Sequence, residues 1–305
     1  MSGLMNTYLY GKAGKADFTP DQLPANRVAL FFEMLRLRFG GLVGLNLFSF
    51  VIALPAIIWS YMTYQVIVMD LEADAALATS MMTGRMTVYL LFMIPCLMII
   101  STLNTGVMYL MRNWARDEHT FTFSDYKDAL KENWKGGLLV GLINGVSLLV
   151  TYIAYTYYGM MAANGGAFWY VPQMMVVILC CVWWMANMLI TPMMVTYEMS
   201  FKTLVQNSVI MVVGRLPWSI LFWGLSIAIP LVLVLYVPYG IVIAAILYLL
   251  IGFSLTNFVY ASYANSCFDR FLNPRIEGAR VNMGLRDPNL AEEEIEVTDE
   301  DIKNM

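Results

Sequence analysis

Residues 216–262 read LPWSILFWGLSIAIPLVLVLYVPYGIVIAAILYLLIGFSLTNFVYAS, with no charged side chain anywhere in the run. About 20 apolar residues suffice for a helix to cross the hydrocarbon core of a bilayer. One helix over all 47 residues would be more than twice that length. Val237, Pro238 and Tyr239 divide the run, so it reads as two spans, 216–236 and 239–262, joined by a tight hairpin. Working outward with the same criterion gives four more spans at 41–63, 87–110, 136–157 and 171–195.

None of the charged residues falls inside these six spans. Of the 305 residues, 59% are hydrophobic and 13% charged, where soluble domains carry about 25% charged. Mean hydropathy is +0.63. The fold class that follows is all-α: a polytopic integral membrane bundle of six transmembrane helices in contact with a lipid bilayer. The net charge of −4 comes from one acidic tail, so no basic surplus points to nucleic acid.

The chain divides into a polar segment at 1–26, a membrane domain at 27–286 and an acidic tail at 287–305. Segment 1–26 lacks the apolar core of a signal peptide, so the first span is expected to act as its own targeting signal. The run from Glu292 to Asp301 is too charged to pack and is expected to be disordered. Lys and Arg concentrate on the cytoplasmic side of multi-pass proteins. Here the N-terminal segment, the loops after the second and fourth spans and the C-terminal tail hold 17 of the 18 basic residues, and only Arg85 lies on the other side. An even number of spans with this bias places both termini in the cytoplasm, with the spans in the plasma membrane. Segments 64–86 and 158–170 are then outer loops, the second ending in Phe168-Trp169-Tyr170. That aromatic cluster fits an interfacial belt or a platform on which a sugar ring stacks.

Three segments on the basic side read as amphipathic surface helices. They are Arg27–Phe39; a second with Phe123, Tyr126, Leu130 and Trp134 at helical spacing after a Thr122–Asp125 capping box; and a third with Phe201, Leu204, Val205, Ser208, Val209 and Val212. Each leads through glycine into a span. The run from Gly40 to Asn46 parallels the run from Gly136 to Asn144, and Gly214 marks the third more weakly. Thr105-Gly106-Val107-Met108-Tyr109 also parallels Thr191-Pro192-Met193-Met194-Val195. Two readings fit: three helix–span–span repeats, or the chance likeness of apolar helices.

Asn46, Asn104, Asn144, Asn187 and Asn257 place one asparagine in each of five spans, and Thr105, Thr191 and Thr256 join them. An amide in lipid needs a partner, so this set faces the bundle. It is either interhelical glue or the polar lining of a solute site. Pro55, Pro95, Pro192 and Pro230 are expected to kink their spans. Trp183 and Trp184 lie mid-span and are assigned to helix packing.

The missing residue types restrict the chemistry. No Asp, Glu, Lys, Arg or His lies within the spans, whereas ion-coupled pumps and proton relays usually need one. His119 is the only histidine and sits in a charged loop. Of Cys96, Cys180, Cys181 and Cys267, three fall in apolar runs and none forms a metal-ligand spacing. No catalytic set, metal site, cofactor site or Walker A loop is legible, and the expectation is a protein that is not an enzyme.

The run Leu30–Phe39 entering the first span, Leu54-Pro55 within it, Thr105-Gly106 with Tyr109, and Asn133-Trp134-Lys135 come in an order that resembles the YesL-like family of bacterial membrane proteins. Cys267-Phe268-Asp269-Arg270-Phe271-Leu272-Asn273 and Arg275-Ile276-Glu277-Gly278 complete the likeness, which covers roughly residues 25–285. Members share a domain without an assigned function. They are often encoded beside carbohydrate ABC importers or polysaccharide-degrading enzymes. The resemblance therefore implies an accessory or partner protein of oligosaccharide uptake, associating with sugar ABC transporter subunits or another membrane protein. It carries over no binding residues. The alternative read from the residues is a transporter or channel for a small, polar, uncharged solute.

Overall fold

The computed structural model describes residues 23–286, so the readings of 1–22 and of the acidic tail from 287 lie outside the described residues. Among those described, the chain is helical throughout with no strand. Six helices are long and apolar enough to cross a membrane. They are α2 (Phe39–Ala73), α3 (Ala75–Trp114), α4 (Thr122–Gly165), α5 (Tyr170–Met194), α7 (Leu216–Tyr236) and a last span made of α8 (Gly240–Leu247) and α9 (Phe253–Phe271). Two shorter helices, α1 (Arg27–Leu37) and α6 (Phe201–Gly214), precede α2 and α7.

The hairpin expected at 237–239 is present. Tyr239 takes a left-handed conformation (φ 58°), and a Cβ on Gly240 would lie 1.6 Å from the Leu233 carbonyl oxygen. Only glycine permits so close a return.

The two expected outer loops are corrected. α2 and α3 continue through 64–86, broken only at Asp74, whose carboxylate caps the Ala76 and Leu77 amides. The stretch is rich in Met, Leu, Ala and Val and has no Pro, so apart from Asp74 nothing in it stops a helix. At 1.5 Å per residue α3 is about 60 Å long, about twice the hydrocarbon thickness, and Arg85 pairs with Asp70 across the two arms at 3.0 Å. Likewise α4 runs to Gly165. Trp169 then stacks on Tyr158 at 6.1 Å, while Phe168 and Tyr170 stay exposed.

The second amphipathic segment is not a separate surface helix. It is the first third of the 44-residue α4. Its N-cap is Phe121, one residue earlier than expected, and the Asp125 carboxylate accepts the Phe121 N–H at 2.8 Å. Gly136 and Gly137 do not break the helix, because they serve packing. Cβ atoms on Gly137, Gly141 and Gly145 would fall 2.5–2.8 Å from the backbone of α3. This four-residue stripe lets the two backbones touch. The first and third segments do break from their spans, at Arg38 and Arg215. The order helix, span, span thus occurs three times, with the middle pair fused.

α9 is the hub. One buried cluster joins it through Tyr263, Ala264, Cys267 and Phe268 to Met185–Met194 of α5 and to Leu204, Met211 and Val212 of α6. A second joins Phe258 and Ala261 to Leu30 and Met34 of α1, Leu42 and Leu45 of α2, and Val107–Trp114 of α3. At this same end lies a polar network. Arg27 donates to Asp269, Asn273 Nδ2 donates to Asp269 Oδ1 at 2.7 Å, and the Tyr197 hydroxyl donates to Asn273 Oδ1. Arg112 and Arg116 approach Glu118 at 3.8 and 3.7 Å. We call this the basic end.

Candidate functional site

Helical spacing groups the polar residues of each span before any tertiary contact. Ser101 and Asn104 share a face of α3; Trp184, Asn187 and Thr191 share one of α5; Asn257 and Tyr260 share one of α9. The bundle turns these faces toward one another. Together with Asn144 of α4 and Trp223 of α7 they line a half-open cavity of about 180 Å³. That is about six times the share of liquid volume held by one water.

Its polar groups are partly used. Asn257 Nδ2 donates to Asn104 Oδ1 at 2.8 Å, and Asn104 Nδ2 returns a longer contact of 3.5 Å to Asn257 Oδ1. Asn144 Oδ1 accepts the Trp183 indole N–H at 2.8 Å. Asn187 Nδ2 donates to the Trp183 carbonyl at 3.1 Å, and the Tyr260 and Ser226 hydroxyls bond at 2.6 Å. A carboxamide offers two donors and two acceptor positions, so each asparagine retains capacity. The Trp184 indole Nε1 is buried and has no partner. An unpaired buried donor costs about 1–3 kcal/mol, and it sits on a side chain that forms the cavity wall.

Of the eight polar residues singled out from the sequence, five converge here: Asn104, Asn144, Asn187, Thr191 and Asn257. The other three do not. Asn46 is fully enclosed between α2 and a π turn, Tyr248–Gly252, that links α8 to α9. Its Nδ2 donates to the carbonyls of Tyr248 (2.8 Å) and Leu249 (2.7 Å), and its Oδ1 accepts the Ser254 N–H (3.1 Å). Thr105 and Thr256 donate to their own helices, at Thr102 and Gly252. Trp184 and Tyr260 were not anticipated at the site. Trp184 lies three residues before Asn187 and seven before Thr191, and that spacing was the available signal.

A larger depression of about 480 Å³ lies between the arms of α2 and α3 on either side of Asp74, and most of its polar side chains bond within the two helices. Trp59 Nε1 donates to Tyr89, Thr63 to Trp59, Ser80 to Leu77 and Arg85 to Asp70.

These features define a multi-pass α-helical membrane protein whose bundle carries an uncharged, half-open, amide-lined cavity. Residues 30–155 match the family described as Protein of unknown function, DUF624, and the YesL-like resemblance is consistent with that match. No curated protein and no solved structure matches the chain. The matched stretch supplies Asn104 and Asn144 to the cavity, while Asn187, Thr191 and Asn257 lie beyond it.

Proposed function

We propose that this protein is a non-enzymatic membrane protein that binds a small, uncharged, hydroxyl-bearing solute in the amide-lined cavity and passes it across the bilayer. The convergence of five intramembrane Asn and Thr side chains on one cavity, beside an unpartnered Trp184 N–H, carries this reading. Amides and hydroxyls exchange hydrogen bonds with a polyol or a sugar without any charge. A charged solute would lose its hydration there with no opposite charge to replace it. The Lys/Arg bias supports cytoplasmic termini, with the basic end inward.

The accessory reading, a partner of carbohydrate uptake, draws on a different observation. The fused first third of α4 projects at the basic end with Phe123 82% exposed and Phe121 and Trp134 also open. Both readings meet in one experiment. The purified chain in liposomes should pass glycerol or a monosaccharide, and Asn104→Leu or Asn187→Leu should abolish that flux while the folded protein is still recovered. Absence of flux for every neutral solute tried, with sugar-transporter subunits co-isolating in mild detergent, rejects the first reading in favour of the second.

A further inference from the structure

A groove of about 370 Å³ opens at the basic end between α1, the start of α7 and α9. Two arginines line it. Arg27 is matched by Asp269 and also donates to the Met283 carbonyl at 3.0 Å, yet its Nε is buried without a partner. Arg215 has no carboxylate partner among the described residues. It donates to Ser266 Oγ at 2.9 Å and lies 5.4 Å from the centre of the Tyr263 ring. Ser262 Oγ, on the same wall, is buried and unpaired. The rest of the wall is apolar, with Phe31, Phe222 and Val259 deeper, and Phe32 62% exposed at the lip.

One uncompensated guanidinium, two orphaned polar atoms and an aromatic trough ask for an anion joined to a hydrocarbon chain. The groove faces lipid, since the apolar window of α7 is only 6% buried inside the bundle. It also lies where Leu216 begins that span, and the end of a helix that crosses a bilayer meets the headgroups. We infer that this groove is a binding site for an anionic phospholipid. Its phosphate lies against Arg215 and the α9 serines, and an acyl chain runs along Phe31, Phe222 and Val259. Basic pockets between spans hold anionic headgroups by charge-assisted hydrogen bonds. A free phosphate would leave the apolar trough unused.

The test uses the full chain in a neutral detergent, titrated with phosphatidylglycerol or with phosphatidylcholine of the same acyl composition, reading Tm and the lipid retained by native mass spectrometry. Phosphatidylglycerol should raise Tm further and be retained in preference. Arg215→Gln should lose that excess while keeping the phosphatidylcholine response. Phe32→Glu, at an exposed position that tolerates charge, should lose it by repulsion even if the arginine variant fails to fold. Equal shifts for the two lipids, or an undiminished preference in both variants, overturn the assignment. An equal shift with inorganic phosphate alone overturns the lipid occupant. A preference that emerges only after residues 287–305 are removed overturns it in favour of the chain's own acidic tail.

Discussion

Asn46 and Asn187 have the same side chain and the same membrane setting, yet they do different work. Asn46 makes three hydrogen bonds to the backbone of the last span, whereas Asn187 makes one, within its own helix. At about 0.6 kcal/mol per intramembrane bond, Asn46→Leu should cost about 2 kcal/mol and Asn187→Leu about 0.6. Detergent-phase Tm values should fall in that order, and equal losses would count against these roles. Tyr197 gives a pH dependence. Burial is the main cause that pushes its hydroxyl up to about 12, with Asp269 adding to it and Arg116 and Arg112 opposing it. The unfolded tyrosine releases its proton near pH 10. Below about 10 both states hold the proton and the contribution to stability is whole. Between about 10 and 12 only the folded state holds it, so stability falls as pH rises. Tyr197→Phe should show a shallower loss of Tm than the native chain across that interval. The sequence revealed that these polar groups must face inward, because lipid leaves them no other choice. It did not reveal which would meet, since that depends on helix rotations set by packing.

Glycine shows the same limit at the scale of helices. Gly44 and Gly141 occupy comparable places in the two parallel runs, but a Cβ on Gly44 meets nothing within 4 Å. On Gly141 it would lie 2.5 Å from the Leu97 oxygen and the Met98 Cα. Gly44→Ala should therefore be neutral or slightly stabilising, through helix propensity. Gly141→Ala must push α3 and α4 apart and should lower Tm clearly. If the two variants behave alike, the stripe is not what joins these helices. The stripe itself was readable as glycine at every fourth position, 137, 141 and 145. Span number followed from hydropathy, and the hairpin after Tyr236 from the length of the apolar run and its interruption at Val237-Pro238-Tyr239. Helix ends did not. Hydropathy registers where lipid stops, but a helix continues past the membrane until a breaker or cap intervenes, as at Asp74.

For the whole molecule, the two ends of the described chain are tied together. Arg27 opens α1 and Asp269 lies in the last turn of α9, with side chains 20% and 10% exposed. Burial lowers the Arg27 pKa, and Asp269 works against that shift. Breaking such a pair by removing one partner leaves a buried charge and costs about 3–5 kcal/mol. Asp269→Ala should therefore lower Tm strongly and open α1 to protease before the spans are cut. A native-like cleavage pattern would show that α1 docks by its apolar face alone. Both partners lie in or beside runs that carried the family resemblance, whose order along the chain could be seen without any hint that its extremes meet.

The π turn at Tyr248–Gly252 has a geometric consequence for the cavity. Such a turn holds one residue more than the α-helical stretch it replaces. The two halves of the last span are therefore out of phase by one residue, about 100° of rotation and 1.5 Å of rise. That offset sets the rotation at which Asn257 meets Asn104, and Asn46, bonded to the first two residues of the turn and to Ser254 just past it, pins the turn in place. The cavity's amide pair is thus indexed to a side chain on a different helix that never touches it.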